Sequence, residues 1–368
     1  MNLAKGDGTL RVGVDGHILT GKFQGSRRWL INILREVASL DRGHTYVVYS
    51  FDPDQSARLL GSGPFEHRRL PEGAAAFRLL CHLPIAASRD QLDVLLTQYH
   101  VPPICPCRRV VVIHDTLFES HPWLFPPVMR MRLQLGCRWS AHHADATITV
   151  SRFSAGEIAA RYHVPPEKLF VARNGVDPLA IPDRDDREDI AALSPFLLCV
   201  GRIEPRKKID LALRATERAR AAGVKLVIVG ADEHWNAEPL SGQNVMRFEA
   251  VTDSKLLALY AGATALLFPS QCEGFGLPVL EALRFGTPVL ASGLTAIPEA
   301  GGALARYFDP MQADAVETLG RMIDEELVAR RRLDPDEVAQ HLAAFNWGAS
   351  AHAVIEALER ALRQNANA

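Results

Sequence analysis

Long apolar runs, an excess of charge and a leader-like segment are all missing from this sequence. No run of apolar residues approaches the ~18 residues that a membrane-spanning helix requires. Residues 1–10 carry Lys5 and Asp7 but no apolar stretch, so we expect no secretory signal peptide. The net charge is only -2, so the basic excess typical of nucleic-acid-binding proteins is absent. Apolar residues make up 48% of the chain, which argues against intrinsic disorder.

Cysteine is also scarce, with six residues at positions 81, 105, 107, 137, 199 and 272. Cys199 and Cys272 lie in or beside apolar segments, as structural cysteines do. Cys105-Pro106-Cys107 has too short a spacing for a CxxC metal turn, and no second pair follows it. We therefore expect reduced, structural cysteines in a cytoplasmic protein.

What the sequence does contain is a regular alternation of short β-rich runs and longer helical patterns. Most of the runs are continuous Val/Ile/Leu segments, as expected for parallel strands buried on both faces. Helical patterns lie at Trp29–Leu40, Ile209–Ala222, Ser254–Ala261 and Pro278–Phe285. This alternation predicts an α/β fold built from doubly wound parallel sheets. The predicted strands are Leu10–Val14, Thr45–Ser50, Val94–Thr97, Val110–Ile113, Thr147–Val150, Phe196–Val200, Leu226–Val229, Ala265–Phe268 and Val289–Ala291.

A proline-bearing, charge-dense segment at 177–187 predicts a linker near residue 180. The length of the chain suits two domains, 1–180 and 181–347, each large enough to have its own core. Residues 1–180 hold 21 Lys and Arg against 16 Asp and Glu, whereas residues 181–368 hold 20 against 27. The small total charge therefore conceals a basic first half and an acidic second half.

The segment Gly201–Lys208 is the first candidate functional loop, because it follows a predicted strand and leads directly into a helix. In open α/β sheets, ligands bind outside the carboxyl ends of the strands. Gly201 allows the backbone to turn off the strand, and Arg202 and Lys207 then lie beside a helix N-terminus. Basic side chains are unfavourable there unless an anion is bound, so the pattern favours a diphosphate site over a solvated helix start.

A second candidate loop follows the predicted strand at 265–268 and carries Gly274 and Gly276. Glycine permits close approach of the backbone to a ligand. Glu273 in the loop and Glu281 in the first turn of the next helix are placed to face one pocket, with backbone N–H groups between them. Taken alone, Glu281 is better explained as a favourable acid near a helix start.

Together the two loops form an ordered set of motifs. The string Glu273-Gly274-Phe275-Gly276-Leu277-Pro278, followed by Glu281 and preceded by Gly201-Arg202 and Lys207, resembles the retaining GT-B glycosyltransferases of family GT4. The resemblance covers essentially the whole chain and implies two Rossmann-like domains facing across a cleft. It also implies that a C-terminal helix at 348–368 packs back on the first domain. Further matching segments are Val150–Ser154, Asn174–Asp177, Ile297–Gly302 and Phe345–Trp347.

The resemblance implies a nucleotide-sugar donor held by the second domain. Arg202 and Lys207, next to Gly201, would hold the donor diphosphate, and Glu281 would bind the ribose hydroxyls. Glu273 would bind the sugar that is transferred. The remaining donor contacts would be the backbone N–H groups of Gly274, Phe275, Gly276 and Leu277.

In the first domain, His114-Asp115 follows a predicted strand and matches the motif that the family places beside the donor sugar. The resemblance implies that His114 contacts the sugar and matters for catalysis, and Asp115 is a candidate acceptor contact. After the first strand the chain reads Gly25-Ser26-Arg27-Arg28-Trp29, where the family commonly has Gly-x-Gly-Arg-Tyr. Gly25, Ser26, Arg27 and Arg28 are therefore candidate contacts for a phosphate or acidic acceptor, or else a solvated helix start.

The family implies catalysis by His114, Glu273, Arg202 and Lys207. In its favoured mechanism, substitution takes place on one face of the sugar and the leaving phosphate takes the acceptor proton. Glu273 is then a positioning carboxylate rather than a nucleophile. Preorganised cations lower the barrier, because negative charge develops on the leaving diphosphate.

No metal or other cofactor is expected. Metal-dependent transferases use a pair of acidic residues, which Asp52-Pro53-Asp54 and Asp334-Pro335-Asp336 imitate. Both strings lie outside the candidate loops, and a proline inside a short acidic string is typical of a turn or a helix start.

The expected donor is GDP-mannose, because Ile297–Gly302 is mannosyltransferase-like, and UDP-sugars remain open. The expected acceptor is a glycan or a lipid-diphosphate-linked oligosaccharide of surface polysaccharide synthesis, since the basic first domain suits an anionic partner. The segment Trp123–Arg138 includes Arg130, Arg132 and Arg138. It could lie on the inner face of a membrane, although core packing of its apolar residues explains it as well.

Two other classes of function stay open, a nucleotide-sugar epimerase on the same architecture and a catalytically silent sugar-binding protein. The spacing of Glu273 and Glu281, with the later Pro298-Glu299, favours transfer over epimerisation. The full set of polar site residues argues against a silent site. A dehydrogenase is disfavoured, because no GxGxxG string follows the first strand of either domain.

Overall fold

The computed structural model describes residues 9–20, 25–40, 42–177, 180–231 and 242–363. The chain divides into two compact units. Domain 1 comprises Met1–Gly175 and Asn346–Ala368, and domain 2 comprises Val176–Phe345. These divisions fall five and two residues before the expected ones at 180 and 347.

Thirteen strands occur among the described residues, and each of the nine predicted strands is present within two residues of its expected ends. Their continuous apolar runs make them strands that are buried on both faces. The strands are Arg11–Asp15 (β1), Thr45–Ser50 (β2), Phe65–Arg69 (β3), Val94–Gln98 (β4), Arg108–Val112 (β5), Ala146–Thr149 (β6), Leu169–Val171 (β7), Phe196–Val200 (β8), Lys225–Val229 (β9), Val245–Phe248 (β10), Ala265–Phe268 (β11), Val289–Ser292 (β12) and Arg306–Phe308 (β13).

The described strands of domain 1 form one parallel sheet in the order β3-β2-β1-β4-β5-β6-β7. Val12 in β1 is in register with Tyr46 on one side and with Val94 on the other. Val12, Val47 and Val111 are completely buried, so the core lies on both faces of the central strands. The carboxyl ends of β1, β4 and β5 therefore lie side by side at one edge of the sheet.

The described strands of domain 2 form a second parallel sheet in the order β10-β9-β8-β11-β12-β13. In this sheet β8 lies between β9 and β11, with Val200 beside Val229 and Leu198 beside Leu266. The loops that follow β8 and β11 consequently leave the same edge of the sheet next to each other. Two open parallel sheets with intervening helices confirm the predicted doubly wound α/β fold.

The four strands that the sequence pattern does not predict are β3, β7, β10 and β13, which are the edges of the two sheets. They include polar residues such as Glu66 and Arg247, and Phe308 is their one buried residue. An edge strand has a neighbour on one side alone and is partly exposed. It therefore does not need the continuous apolar run by which the inner strands are predicted.

Helices pack around the sheets, and none of those described has the length and hydropathy needed to cross a membrane. The α-helices of the described residues are Gly25–Ser39 (α1), Pro53–Leu60 (α2), Ala75–Phe77 (α3), Leu83–Arg89 (α4), Leu117–Ser120 (α5), Pro127–His143 (α6), Arg152–Tyr162 (α7), Arg184–Ala191 (α8), Ile209–Ala215 (α9), Glu217–Ala221 (α10), Asp253–Gly262 (α11), Leu277–Arg284 (α12), Ile297–Gly301 (α13), Ala315–Ala329 (α14), Pro335–Leu342 (α15) and Trp347–Arg363 (α16).

One predicted helix, Ile209–Ala222, is divided into α9 and α10 at Thr216. The Thr216 hydroxyl donates to the carbonyl oxygen of Ala212 at 2.8 Å. A hydroxyl that bonds to the preceding turn competes with the helical backbone and bends the helix. The uninterrupted helix expected from the apolar pattern is therefore wrong at this residue.

The last helix, α16, belongs to domain 1 and packs against α1 and strands β4 to β7. The Ser350 hydroxyl donates to the carbonyl oxygen of Arg173 at 2.6 Å. The indole of Trp347 lies against Gly175 so closely that a Cβ there would be 2.7 Å from the ring. The chain therefore needs glycine at the point where it leaves domain 1.

Candidate active site

The loop after β8 turns sharply because Gly201 has a φ of +136°. Its N–H donates to the carbonyl oxygen of Val229, and a Cβ on Gly230 would collide with the carbonyl oxygen of Gly201. Two glycines thus allow the ends of β8 and β9 to approach each other. The chain then forms a single 3₁₀ turn at Pro205–Lys207 before α9 begins.

Glu273, in the loop after β11, joins this turn through two ion pairs. Lys207 Nζ donates to Glu273 Oε1 at 2.5 Å, and Arg206 Nη1 donates to Glu273 Oε2 at 2.8 Å. The N–H of Gln271 also donates to the carbonyl oxygen of Arg206 at 2.7 Å. The two candidate loops of domain 2 are therefore bonded together at the carboxyl edge of the sheet.

These charged groups are buried, with Lys207 and Glu273 each 8% exposed. Burial by itself would raise the pKa of Glu273, but Arg206 and Lys207 together lower it to about 2. Burial lowers the pKa of Lys207, whereas the carboxylate of Glu273 opposes that effect. Lys207 Nζ also lies 5.1 Å from the centre of the Phe268 ring. Glu273 is therefore ionised, and its charge is balanced inside the protein.

Arg206 is a third charged residue of this site, and the sequence motifs did not single it out. Its guanidinium bridges Glu273 and Glu204, donating to Glu204 Oε1 at 2.8 Å and to the Cys272 carbonyl at 2.9 Å. Burial opposes its charge, but the two carboxylates raise the pKa of Arg206 further. The run Arg206-Lys207-Lys208 was visible in the sequence. The turn alone decides that Arg206 as well as Lys207 faces Glu273.

Arg202 lies on the solvent side of the same group of charges. Its side chain is 40% exposed, and its Nη2 lies 3.7 Å from Glu204 Oε1. The two cations predicted to hold a diphosphate thus differ in environment, since Lys207 is buried and Arg202 is accessible. Three cations and two carboxylates, Glu204 and Glu273, give the cluster one net positive charge.

The loop of Gly274 and Gly276 ends in helix α12. Gly276 has a φ of +113° at the N-cap, where other residues are strained. The Glu273 N–H donates to Thr295 Oγ1 at 2.9 Å. Phe275 is 5% exposed, and its ring packs edge-on against Phe345. The side chain of Phe275 therefore anchors the loop, so that its backbone N–H is the group it could offer to a ligand.

Glu281 is the fifth residue of α12, which places it in the second turn rather than in the first turn as expected. The helix begins at Leu277. The hydroxyl of Tyr260, a buried residue of α11, donates to Glu281 Oε2 at 2.6 Å. The carboxylate of Glu281 is thus held by a rigid neighbour, and a role as a simple helix-start acid no longer explains its position.

In domain 1, His114 lies just beyond β5 and is 7% exposed. Its Nε2 is 3.1 Å from Gln98 Oε1, and Trp29 packs edge-on against its ring. Burial lowers the pKa of His114 to about 4. The imidazole is therefore neutral at pH 7.

The predicted acceptor residues of domain 1 occupy helix starts. Asp115 Oδ1 accepts from the Leu117 N–H at 3.1 Å, and Asp115 Oδ2 lies 3.4 Å from the Tyr99 hydroxyl. The helix predicted from Trp29 begins four residues earlier, because Gly25, Ser26, Arg27 and Arg28 form the first turn of α1, as the alternative of a helix start predicted. The preceding residues 21–24 lie outside the described residues.

A buried carboxylate, Asp15, lies at the carboxyl edge of the domain 1 sheet, and the sequence motifs did not single it out. Asp15 ends β1, is 1% exposed and lies 2.9 Å from His17 Nδ1 and 3.2 Å from Arg78 Nε. Burial would raise the pKa of Asp15, but His17 and Arg78 lower it overall. Its position at a strand end was the one signal in the sequence that could have identified it.

The remaining charged and thiol motifs have structural roles. Asp52 accepts from the Gln55 N–H and Asp334 from the Asp336 N–H, so both acidic strings cap helices, as their prolines predicted. The six cysteines are free thiols, and Cys105 Sγ lies 3.4 Å from Cys107 Sγ. Among the described residues no group of three His, Cys, Asp or Glu side chains is arranged to hold a metal ion.

Both halves of the chain match family models. Residues 23–178 match the model described as Glycosyltransferase Family 4, and residues 194–324 match the one described as Glycosyl transferases group 1. O-antigen chain mannosyltransferase B of Escherichia coli is 30% identical over 271 residues, which cover 68% of this chain and 70% of that protein. The MMP alpha-(1->4)-mannosyltransferase of Mycolicibacterium hassiacum is 31% identical over 233 residues, 60% of this chain and 56% of that protein.

Solved structures share the fold across the chain. Sucrose-phosphate synthase from Thermosynechococcus elongatus has a TM-score of 0.70 at 18% identity, covering 94% of this chain and 97% of its own. The Anabaena protein HepE in complex with UDP and glucose has a TM-score of 0.69 at 16% identity, with coverages of 94% and 98%. The fold and the family models together define a glycosyltransferase of GT-B architecture. Within that class, the chain belongs to glycosyltransferase family 4.

Proposed function

We propose that this enzyme transfers a hexose from a nucleotide diphosphate sugar to a glycan or lipid-linked oligosaccharide in surface polysaccharide synthesis. The proposed donor is GDP-mannose, and the proposed reaction retains the anomeric configuration and uses no metal ion. The names of the relatives support this choice, since several are mannosyltransferases, one of them of an O-antigen chain.

The observation that carries the proposal is the buried cluster of Arg206, Lys207 and Glu273 in domain 2. It lies where β8 and β11 end side by side, the edge at which open α/β sheets bind ligands. Glu273 takes one of the three N–H donors of Lys207, so the ammonium retains donors for a phosphate oxygen. Arg202 supplies a further, accessible guanidinium. A diphosphate matches this surplus of positive charge.

The chemistry follows from where charge develops. When the bond between the sugar and the diphosphate breaks, negative charge accumulates on the leaving phosphate, and Arg202 and Lys207 stabilise it there. That phosphate takes the proton of the acceptor hydroxyl, as the family resemblance implies. Glu273 is fixed by two cations and acts as a positioning carboxylate for the sugar. His114 contributes a neutral imidazole, and Glu281 the ribose contact.

A UDP-sugar donor is the second candidate. HepE, which shares the fold, forms complexes with UDP and with UDP-glucose. A thermal-shift comparison of GDP and UDP decides between them, because a ligand present at 100 times its Kd stabilises the native state by about 2.7 kcal/mol. We expect GDP to raise the melting temperature more than UDP at equal concentration. A larger shift with UDP would contradict GDP-mannose and make a UDP-sugar the donor.

Nucleotide release measured with and without candidate acceptors tests the reaction itself. We expect release of GDP from GDP-mannose that depends on a glycan acceptor and continues in the presence of a chelator. The anomeric proton of the product, observed by NMR, should keep the configuration of the donor. Loss of activity with a chelator and recovery with Mn²⁺ or Mg²⁺ would contradict the metal-independent mechanism.

A further inference from the structure

Helix α6 of domain 1 is exposed along most of its length. Its buried residues, Cys137, Ser140 and Ala141, all lie in its last seven positions. A helix on the surface of a globular protein normally turns its apolar side chains towards the core. The N-terminal part of α6 instead presents apolar side chains to solvent, with exposed fractions of 75% for Val128, 51% for Met129, 56% for Met131 and 65% for Leu135.

The exposed side chains form a stripe rather than a scatter. Val128, Met131 and Leu135 stand at positions i, i+3 and i+7, so they share one face of the helix. Arg132 and Arg138 are exposed at i+4 and i+10 on the same face. Long arginine side chains beside an apolar stripe can keep their guanidinium groups at a polar surface while the stripe is buried.

The charge on this segment has one sign. From Ser120 to Ala144 the sequence contains no Asp or Glu but three arginines, at positions 130, 132 and 138. Trp123, which precedes the helix, is 66% exposed. Apolar and aromatic side chains mixed with arginine, and without acidic residues, are the composition that binds the interface of an anionic bilayer.

A second exposed apolar patch lies at the same edge of the domain 1 sheet. Phe77, Leu80 and Ile85 are 63%, 60% and 65% exposed. The His100 ring, just beyond β4, lies against α6, since a Cβ on Gly136 would be 2.5 Å from it. Arg78, which lies between Phe77 and Leu80 in the sequence, has its Nε 3.2 Å from Asp15 Oδ2 at the end of β1, the strand beside β4. The two patches therefore lie near the carboxyl ends of neighbouring strands.

We propose that domain 1 docks onto an anionic membrane surface through α6, with Phe77, Leu80 and Ile85 on the same rim. A second copy of this chain fits the surface less well. A two-fold contact between α6 helices would bring arginine towards arginine, and the segment has no carboxylate to neutralise them. None of these residues belongs to the donor site proposed in domain 2, so docking is testable without the transfer reaction.

Co-sedimentation of the full chain with lipid vesicles tests the proposal. We expect binding to vesicles of phosphatidylcholine and phosphatidylglycerol in equal parts at low salt, and much weaker binding to phosphatidylcholine alone or at high salt. The double variants Met131→Gln with Leu135→Gln, and Arg132→Gln with Arg138→Gln, should each reduce the partition coefficient about tenfold or more.

Matched controls come from domain 2. Val328 is 86% exposed on α14, so Val328→Gln removes an exposed apolar group elsewhere. Arg214→Gln with Arg218→Gln removes two exposed charges from outside α6. Both controls should sediment like the wild type, and circular dichroism should show every variant folded. Absence of binding to anionic vesicles at low salt, or equal binding by the α6 variants, would overturn the proposal. The proposal would also be overturned if the wild type formed a dimer, did not bind vesicles, and became monomeric on substitution of α6, since the surface would then belong to a contact with a second copy.

Discussion

At the scale of single residues, the proposed donor site depends on a carboxylate that is kept ionised inside the protein. Glu273 is buried, and Arg206 and Lys207 hold its pKa near 2. Removing one partner from a buried ion pair leaves the other charge uncompensated, which is far more costly than losing a pair on the surface. The two cations that contact Glu273 therefore have a structural role, whereas the side chain of Arg202 is 40% exposed and lies beside Glu204.

Arg202→Ala should reduce turnover by about 10²–10³, or roughly 3–4 kcal/mol of transition-state stabilisation, with folding intact. In the proposed mechanism this side chain supplies positive charge at the leaving group, and it is 40% exposed, so its removal should disturb packing little. Steady-state kinetics with the identified donor measure the change, and Lys208→Gln, a neighbouring cation outside the Glu273 cluster, serves as the control. Turnover close to the wild type in Arg202→Ala would remove this residue from the catalytic machinery.

Arg206→Leu should destabilise domain 2 by about 3–5 kcal/mol at pH 7, because Glu273 loses one of its two cations. The Glu273 pKa of about 2 lies below the ordinary value of 4.5. Its stabilising contribution is therefore present above pH 4.5 and is lost as the pH falls towards 2. Urea unfolding should show the difference between variant and wild type shrinking over that range. A difference independent of pH would contradict the coupling.

His114 should make the stability of domain 1 depend on pH over a higher range, between 6.5 and 4. Its pKa is about 4 in the folded protein and 6.5 when unperturbed, so the unfolded chain binds its proton more readily. The free energy of unfolding of domain 1 is therefore unaffected by this group above pH 6.5, and it falls by about 3 kcal/mol as the pH drops towards 4. Urea unfolding of the wild type and of His114→Gln should show a shallower dependence in the variant. Parallel curves would exclude His114 as the source.

At the scale of elements, turns rather than strands position the site. The loops after β8 and β11 meet because Gly201 and Gly276 adopt positive φ values and because β8 and β11 are neighbours in the sheet. The sequence indicated Gly201 as a place where the backbone turns and Gly276 as a place where the backbone can approach a ligand. It did not signal the edge strands, whose partial exposure removes the continuous apolar run used to predict strands.

Gly276→Ala should destabilise domain 2 by about 1–3 kcal/mol and weaken donor binding, since φ is +113° at the start of α12. A Cβ there would also lie 3.4 Å from that of Ala300. The matched control is Gly156→Ala inside α7, where a Cβ meets open space and the helix should gain up to about 1 kcal/mol. Denaturant unfolding measures both, and equal effects would contradict the conformational explanation.

At the scale of the whole molecule, the C-terminal segment of the chain returns to domain 1 after domain 2 is complete. Residues 1–175 and 346–368 form one unit, although 170 residues separate them in the sequence. Buried residues of α16, among them Trp347, Val354 and Leu358, complete the domain 1 core. Domain 1 is thus not a continuous segment of the sequence. The basic and acidic halves of the sequence therefore correspond to the two domains only approximately, because residues 346–368 belong to domain 1.

Truncation after Phe345 should destabilise domain 1 selectively, because it removes α16 and exposes the apolar surface of α1 that it covers. Domain 2 keeps all of its described elements in such a chain. We expect the unfolding transition of domain 2 to persist while that of domain 1 is lost or strongly lowered, as followed by calorimetry. A domain 1 transition at the wild-type temperature would show that α16 contributes little.

The sequence by itself determined the class of fold, the inner strands, the two candidate loops and the family, because continuous apolar runs and short motifs are local properties of a chain. Only the tertiary structure decided three contacts: the pairing of Arg206 with Glu273, that of Asp15 with Arg78, and the hydrogen bond between Tyr260 and Glu281. Each depends on which groups burial brings together from distant segments. Tertiary contacts also determine charge, since the low pKa of Glu273 results from two cations 66 and 67 positions away in the sequence. Likewise, a pattern can show that α6 is apolar and basic, but the packing of domain 1 decides that its apolar face is exposed.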